Sequence, residues 1–248
     1  MRSLRHLTRF AAGGGKTAGT NSKDKRQGGA AGRSSRDKNG GQRSREPQTW
    51  HMTASGPKAD LHRYLQSARD ALLWKLEGLS EYDIRRPLTP TGTNLLGMVK
   101  HVASVELGYL GDTFGRPSGE PQPWLEDGAE PNADMWATAD ESREQMVGLY
   151  RRAWAHADAT IDALTLDTIG RVPWWPSDKN EVTLHHAVVR VIADTHRHAG
   201  HADVLRELMD GAVGMNKGKD DMPPVDSAWW ENYRSRLERA AREADRGA

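Results

Sequence analysis

The sequence predicts an all-α protein, a four-helix bundle with an additional C-terminal helix and a disordered N-terminal tail. Three observations favour this fold. Apolar residues recur at steps of three and four over several long segments, which is the period of an amphipathic helix. The alternation of apolar and polar residues that is typical of a strand does not persist anywhere. Proline and glycine cluster between the periodic segments, where connections are expected.

The first 52 residues differ in composition from the rest of the chain. They contain 12 Lys/Arg, three Asp/Glu and nine Gly, with few large apolar side chains. Such a segment cannot bury enough apolar surface to offset the entropy lost on ordering, so residues 1–52 are expected to be disordered. Three origins stay open: a misassigned start with Met52 as the true initiator, a targeting segment, or a nucleic-acid-binding arm.

The remaining residues, 53–248, form the predicted bundle domain and carry an acidic balance. They hold 23 Lys/Arg and 31 Asp/Glu, a formal net charge of −8, which argues against nucleic-acid binding by the folded part. The absence of cysteine excludes disulfides, thiolate ligands and a cysteine nucleophile. No apolar run approaches the roughly 18 residues that span a bilayer, and no apolar signal segment starts the chain. We therefore expect a soluble, cytoplasmic protein without a membrane partner.

The predicted helices follow one another with short or irregular connections. In chain order they span residues 60–79, 94–114, 138–164, 183–210 and 228–243. The long loop before the third helix, residues 115–137, is rich in proline, glycine and acidic residues, and long ordered loops often border functional sites. The fourth helix ends at Gly211, a residue type that commonly terminates helices. The fifth is expected to be anchored by four side chains: Trp229, Trp230, Tyr233 and Leu237.

The fourth helix has polar side chains where its pattern calls for apolar ones. Its predicted inward stripe consists of Ala187, Val191, Asp194, His198, His201, Leu205 and Leu208. An unpaired carboxylate that points into a core costs several kcal/mol, so a cation, an arginine or a metal ion must compensate. Asp194 and His198 are four residues apart and lie on one face of the helix, where they can bind one divalent ion.

A further ligand has to come from another element, because catalytic zinc usually has three protein ligands and one open position. His101 is the best candidate, since it lies on a stripe of the second helix that borders the main apolar face. Two histidines and a carboxylate suit zinc first, with nickel or iron as alternatives. A second interpretation stays open, in which His101 and Asp194 only hydrogen-bond across the helices and His198 is a core residue. His201 can replace Asp194 as a ligand or hydrogen-bond to a ligand.

Two segments resemble the DinB/YfiT-like superfamily of metalloenzymes. Residues 91–114, T-G-T-N-L-L-G-M-V-K-H-V-A-S-V-E-L-G-Y-L-G-D-T-F, resemble its second helix. The stretch R-H-A-G-H-A-D-V-L-R-E from Arg197 resembles the matching later helix of the mycothiol-dependent branch. The similarity covers about residues 58–240. It implies a four-helix bundle and a metal triad that corresponds to His101, Asp194 and His198.

One triad position departs from the family pattern. The first residue of the pair on the later helix is usually histidine in the superfamily and glutamate in the mycothiol-dependent branch, whereas this chain has Asp194. Aspartate is one methylene shorter than glutamate. Three consequences stay open: the metal ion sits closer to this helix, it is bound more weakly, or it recruits His201.

The resemblance implies a metal-dependent thiol S-transferase that uses a low-molecular-weight thiol, such as mycothiol, on an electrophilic small molecule, as in detoxification. The metal would stabilise the thiolate of the cosubstrate, and a chain without cysteine has to borrow that thiol. His201 is the predicted catalytic residue, for orientation or proton transfer. Arg206 and Trp174 or Trp175 are predicted to bind the cofactor. The alternative for these residues is a surface ion pair with Asp203 and ordinary packing.

Two other classes of function stay open. In a metal-dependent hydrolase the metal would activate water instead of a thiol. A non-catalytic metal-binding or regulatory bundle would keep the scaffold without turnover, because a fold does not fix a function. The expected partners are the electrophile and the thiol, and homodimer formation is left open.

Overall fold

The computed structural model describes residues 56–246, so the predicted disordered tail, residues 1–52, lies outside the described part. The described chain is mostly helical, which confirms the predicted all-α class. Its helices are α1 (Pro57–Leu73), α2 (Glu81–Arg85), α3 (Leu95–Leu110), α4 (Arg143–Ala163), α5 (Leu184–Asp210) and α6 (Ser227–Arg246). Within this part, none of the helices combines the length and the apolar character needed to cross a membrane.

Two short strands and one short helix were not predicted. The strands β1 (Ile169–Arg171) and β2 (Glu181–Thr183) pair antiparallel, but three residues are too few to show an alternating pattern in the sequence. The short helix α2 lies in the segment that was predicted as a connection. It begins after Ser80, whose hydroxyl oxygen accepts a hydrogen bond from the backbone N–H of Asp83.

The helices α1, α3, α4 and α5 form the bundle. α3 packs against α4 and α5, and α1 packs against α5 and α4. Three of these four helices start at a residue whose side chain accepts a hydrogen bond from the first turn, namely Asn94, Ser142 and Thr183. Such caps satisfy backbone N–H groups that have no partner within the helix. α5 ends at Gly211 in the left-handed conformation (φ 76°), as its residue type predicted.

The central helix of the bundle is α3. All of its residues are buried, including Lys100 and Glu106, whereas the sequence predicted one inward stripe. The difference arises because α3 is covered by α4, by α5 and by the turn Ala133–Met135 at the same time. His101 therefore projects from a helix that is enclosed on every side.

The core forms two apolar clusters, and polar groups are buried with them on each bundle helix. They include Arg69 on α1, Glu106 on α3, the Tyr150 hydroxyl on α4 and Thr195 on α5. On α1, Arg69 lies between Leu65 of one cluster and Leu72 of the other. The Arg69 guanidinium donates to the Glu106 carboxylate and, over 2.8 Å, to Asp158. Burial nevertheless raises the pKa of Glu106 to about 7.

The predicted anchoring of the C-terminal helix is wrong. α6 contributes no buried residue, and Trp229 and Leu237 are 39% and 52% exposed. The rings of Trp229, Trp230 and Tyr233 pack on one another instead, with centroids 5.0 to 5.7 Å apart. An amphipathic pattern predicts a helix and its apolar face, but it does not identify a surface against which that face packs.

Candidate metal centre

A cavity of about 1050 Å³ lies between α5, the loop before α3 and the segment 132–136. Thr91 and Thr93 line it on the loop side, and Asn132 and Trp136 line it on the segment side. The α5 wall is a row of residues at helical spacing that begins at His185 and His186, continues through Val189, Arg190 and Ala193, and ends at Asp194, Arg197 and His198. His185 and His186 are exposed at this wall, as expected for a rim.

The predicted triad, His101, Asp194 and His198, meets at this cavity, with one potential ligand atom from each residue within 4.8 Å of the others. Oδ2 of Asp194 is 3.8 Å from Nε2 of His101 and 3.7 Å from Nε2 of His198. These distances are too long for hydrogen bonds, so the alternative of a simple His101–Asp194 hydrogen bond does not describe the site. Two ligands of a tetrahedral zinc ion are roughly 3.4 Å apart, so a small contraction would let the three atoms share one ion.

The charge state of the cluster also fits a cation. Asp194 Oδ2 and His198 Nδ1 are buried and have no hydrogen-bond partner among the described residues. Burial raises the pKa of Asp194, and electrostatic interaction with His101, and then with Arg190 and Arg197, opposes that shift. Burial, and then electrostatic interaction with His101 and His201, lowers the pKa of His198 to about 3, so its imidazole is neutral at pH 7. A neutral imidazole and a buried, unpartnered carboxylate oxygen are the donors that a divalent ion needs.

A fourth residue, Asp134, completes the cluster, and the sequence did not predict it. Its Oδ2 is 2.7 Å from Nδ1 of His101, and its side chain is almost fully buried. Because the carboxylate accepts this hydrogen bond, Nδ1 of His101 is the protonated nitrogen. Nε2, on the side of Asp194, keeps its lone pair for a metal ion. Carboxylate–histidine pairs of this kind orient the ligand and raise its basicity.

Asp134 reaches His101 because the backbone approaches α3 very closely at Gly97. A Cβ at Gly97 would lie 1.8 Å from the carbonyl oxygen of Met135, so only glycine permits this approach. The Asn94 side-chain amide donates to the same carbonyl over 3.1 Å, while its oxygen accepts from the Gly97 N–H over 2.8 Å. Gly97 and His101 are four residues apart on one helix face, so the turn that packs on Gly97 also brings Asp134 to His101.

The structure places His201 and Arg206 outside the set of residues that line the cavity. His201 is exposed, and its ring centroid is 5.7 Å from that of His198. The Arg206 guanidinium donates to the carbonyl oxygens of Lys75 (2.7 Å) and Glu77 (2.8 Å) and pairs with Asp210. Arg206 thus connects α5 to the segment that follows α1, and its geometry gives no support to a role in cofactor binding.

Trp174 also lies away from the cavity lining. It is 6% exposed, and its ring packs edge-on against Tyr109 with centroids 5.1 Å apart. A Cβ at Gly108 would collide with this ring, which shows how closely Trp174 packs on α3. Trp175 lies nearer to the cavity, because its ring also contacts His186 with centroids 6.4 Å apart.

The predicted stripe of α5 is right at most positions, Leu205 included, and wrong at His201 and Leu208. Alternating steps of four and three average 3.5 residues per turn, so such a stripe drifts by about 20° per heptad on a helix of 3.6 residues per turn. His198 is buried and Asp194 partly buried, but His201 is exposed and Leu208 is 75% exposed. Thr195, which the predicted stripe did not include, is more deeply buried than its neighbour Asp194.

Together these features define a class of protein, a four-helix bundle with a candidate metal centre in a cavity between α3 and α5. The comparison with protein families is more specific. The sequence model of the mycothiol-S-transferase family matches residues 60–211, and the chain belongs to this family. The match confirms the resemblance to the mycothiol-dependent branch, and α6 lies beyond the matched region. The comparison with curated proteins finds no match.

Proposed function

We propose that the protein is a metal-dependent thiol S-transferase that joins mycothiol to an electrophilic small molecule. One observation carries this proposal. The buried Oδ2 of Asp194, without a hydrogen-bond partner among the described residues, lies between the Nε2 atoms of His101 and His198 at the wall of the cavity. The family supports transfer of a thiol, and the donor set supports the dependence on a metal.

The residues of the site have separate tasks in this proposal. His101, Asp194 and His198 would hold the divalent ion, which supplies a positive centre that stabilises a thiolate at neutral pH. Asp134 keeps His101 in one tautomer and one orientation. His198 is already neutral because of its burial, so no proton has to leave it before it acts as a ligand. Two nitrogens and one oxygen suit zinc, with nickel or iron as alternatives.

The thiol and the electrophile would both enter from outside the chain. The chain has no cysteine, so no side chain can supply the sulfur nucleophile. The cavity, about 1050 Å³, is at the upper end of the range for small-molecule sites and offers space for both reactants. Conjugation of reactive electrophiles in this cavity would serve detoxification.

The first test is the metal content. We expect protein purified without chelators and without a nickel affinity step to contain about one divalent ion, measured by elemental analysis. His198→Ala should lose that ion, because it removes a ligand of the cluster. His196→Ala is the matched control, since His196 lies on the same helix outside the cluster and should leave the content unchanged. Retention of stoichiometric metal by His198→Ala would contradict the ligand set.

The second test is the reaction. A chlorinated aromatic electrophile is incubated with the metal-loaded protein, with and without mycothiol; a sulfur–carbon bond forms and chloride leaves. We expect conjugation only with mycothiol, loss of activity in His198→Ala, and normal activity in His196→Ala. Hydrolysis of ester or amide substrates without mycothiol would instead favour a hydrolase. Absence of both activities in fully loaded protein would favour a non-catalytic bundle.

A further inference from the structure

Two arginines flank the carboxylate of Asp194 on the cavity wall of α5. Arg190 precedes it by four residues and Arg197 follows it by three, so all three lie on one face of the helix. Both arginines line the cavity. Their charges act on Asp194, where each of them favours the ionised carboxylate.

Without a metal ion, the positive and negative charges of the side chains that line the cavity cancel. The lining contains the arginines 190 and 197 and two aspartates, Asp134 and Asp194. A divalent ion at the triad would leave an excess of two positive charges. One thiolate would neutralise one of them, and one positive charge would remain for the second reactant. A concave site with such an excess attracts anions.

Arg190 is half-buried and lies against two aromatic rings, whereas Arg197 is exposed. Its guanidinium carbon is 5.0 Å from the ring centroid of Tyr109 and 5.2 Å from that of Trp175. Contacts of this kind hold a flexible side chain in place, so less entropy is lost when it binds a ligand. The N–H donors of a guanidinium lie in its plane, away from its faces, in the arrangement that fits a carboxylate.

The opposite wall has a different chemistry. Thr91, Thr93 and Asn132 contribute uncharged hydroxyl and amide groups there, and the carboxylate of Asp134 on that side is 2.7 Å from His101 Nδ1. An uncharged, hydroxyl-rich part of a thiol cosubstrate would find hydrogen-bond partners on that wall. The α5 wall, with its fixed positive charge, is then the side for the electrophile.

We propose that Arg190 binds a carboxylate of the electrophile, so that the protein prefers anionic electrophiles to neutral ones of the same shape. This inference rests on the proposed thiol transfer and adds the class of substrate. With bromoacetate, the thiolate sulfur forms a bond to the methylene carbon, the carbon–bromine bond breaks, and bromide leaves with the electron pair. The thiol proton goes to solvent. Arg190 takes part neither in the sulfur–carbon bond that forms nor in the carbon–bromine bond that breaks. Its only role is in the choice of substrate.

Bromoacetate and bromoacetamide form a matched pair, because they share the reactive carbon and the leaving group and differ in charge. A chain without cysteine offers these reagents no protein thiol. The value of kcat/KM is measured for both with mycothiol and metal-loaded protein, and the ratio is divided by that of the uncatalysed reactions. We expect Arg190→Gln to lower the preference for bromoacetate about tenfold, the effect of one charge-assisted contact. Arg190→Lys should restore part of it.

Arg151→Gln is the matched control, since it removes an exposed arginine of α4 outside the cavity lining and should leave the ratio unchanged. An unchanged ratio in Arg190→Gln would overturn the inference. An equal rise of the KM for mycothiol with both electrophiles would also overturn it, because Arg190 would then bind the thiol.

A binding measurement separates this inference from the proposed function. Acetate and acetamide are titrated into metal-loaded wild type and Arg190→Gln, and binding is followed by ligand-observed NMR. Weaker binding of acetate alone in the variant supports the anion site even if neither bromo compound is turned over, in which case only the transferase proposal fails. Equal acetate binding by the two proteins rejects the role of Arg190.

Discussion

Replacement of Gly97 by alanine tests how the structure builds the candidate metal centre. The new Cβ would lie 1.8 Å from the carbonyl oxygen of Met135, whereas an ordinary carbon–oxygen contact needs roughly 3.3 Å. The turn that carries Asp134 therefore has to move by about 1.5 Å. The hydrogen bond between Asp134 and His101, now 2.7 Å, would then stretch to about 4 Å, beyond hydrogen-bonding distance.

The expected result of Gly97→Ala is weaker metal binding by a folded protein. Loss of a carboxylate partner of a ligand histidine typically lowers affinity 10- to 100-fold, or about 1.4 to 2.7 kcal/mol. The assay is a titration of zinc against a competing chelator, with thermal unfolding of the same samples to verify folding. Gly200→Ala is the matched control: its Cβ meets nothing within 4 Å, so zinc affinity should stay unchanged and helix stability should rise slightly.

A double substitution tests whether Gly97→Ala weakens zinc binding by moving Asp134 away from His101. If Gly97→Ala acts through Asp134, then Asp134→Asn removes the same interaction, and the two changes together should weaken zinc binding no more than either alone. Additive effects would show that Gly97 acts by another route. Zinc affinity equal to wild type in Gly97→Ala would refute the reasoning altogether.

Three other substitutions have definite expected outcomes. Burial raises the pKa of Glu106 to about 7 from an ordinary value of 4.5. The folded protein therefore binds this proton more tightly than the unfolded chain, and the free energy of unfolding of wild type should fall by an amount on the order of 2 kcal/mol as the pH rises from 4.5 to 7. Glu106→Gln should lack this loss in urea unfolding experiments. Arg206→Ala should destabilise the protein by about 2 to 4 kcal/mol, because the carbonyls of Lys75 and Glu77 lose their buried partner; loss of thiol turnover at unchanged stability would restore its role in cofactor binding. His201→Gln should keep the metal ion and reduce kcat only several-fold, because its ring is exposed; loss of the ion would make it a ligand.

The site residues that could be predicted from the sequence are those whose positions follow from the periodicity of a single helix. Asp194 and His198 belong to one helix, and their spacing fixes their common face before any tertiary structure is known. His101 was found because it lies on a stripe of a second helix that borders the main apolar face. The same reasoning failed for His201, where the drift of a long helix against a 3.5-residue repeat turns the side chain outwards.

Asp134 could not be predicted by this reasoning. It lies in a loop with several other acidic residues, and no period distinguishes it from Glu126, Asp127 or Glu130. Its partner is 33 residues away, and their contact depends on a backbone approach at Gly97. The one available signal was a glycine four residues before His101 inside a predicted helix, since such a glycine often marks a close backbone contact.

The two helices around the cavity differ in the sequence changes that they tolerate. Every residue of α3 is buried, so a substitution near His101 disturbs the packing of the whole bundle. The α5 row from His185 to Ala193 has several solvent-facing members, such as Val189 at 43% exposure, and changes at such positions usually alter stability by less than about 0.5 kcal/mol. Under the proposed function, the choice of electrophile could therefore change through substitutions in this exposed row, while the proposed ligands His101 and His198 stay buried.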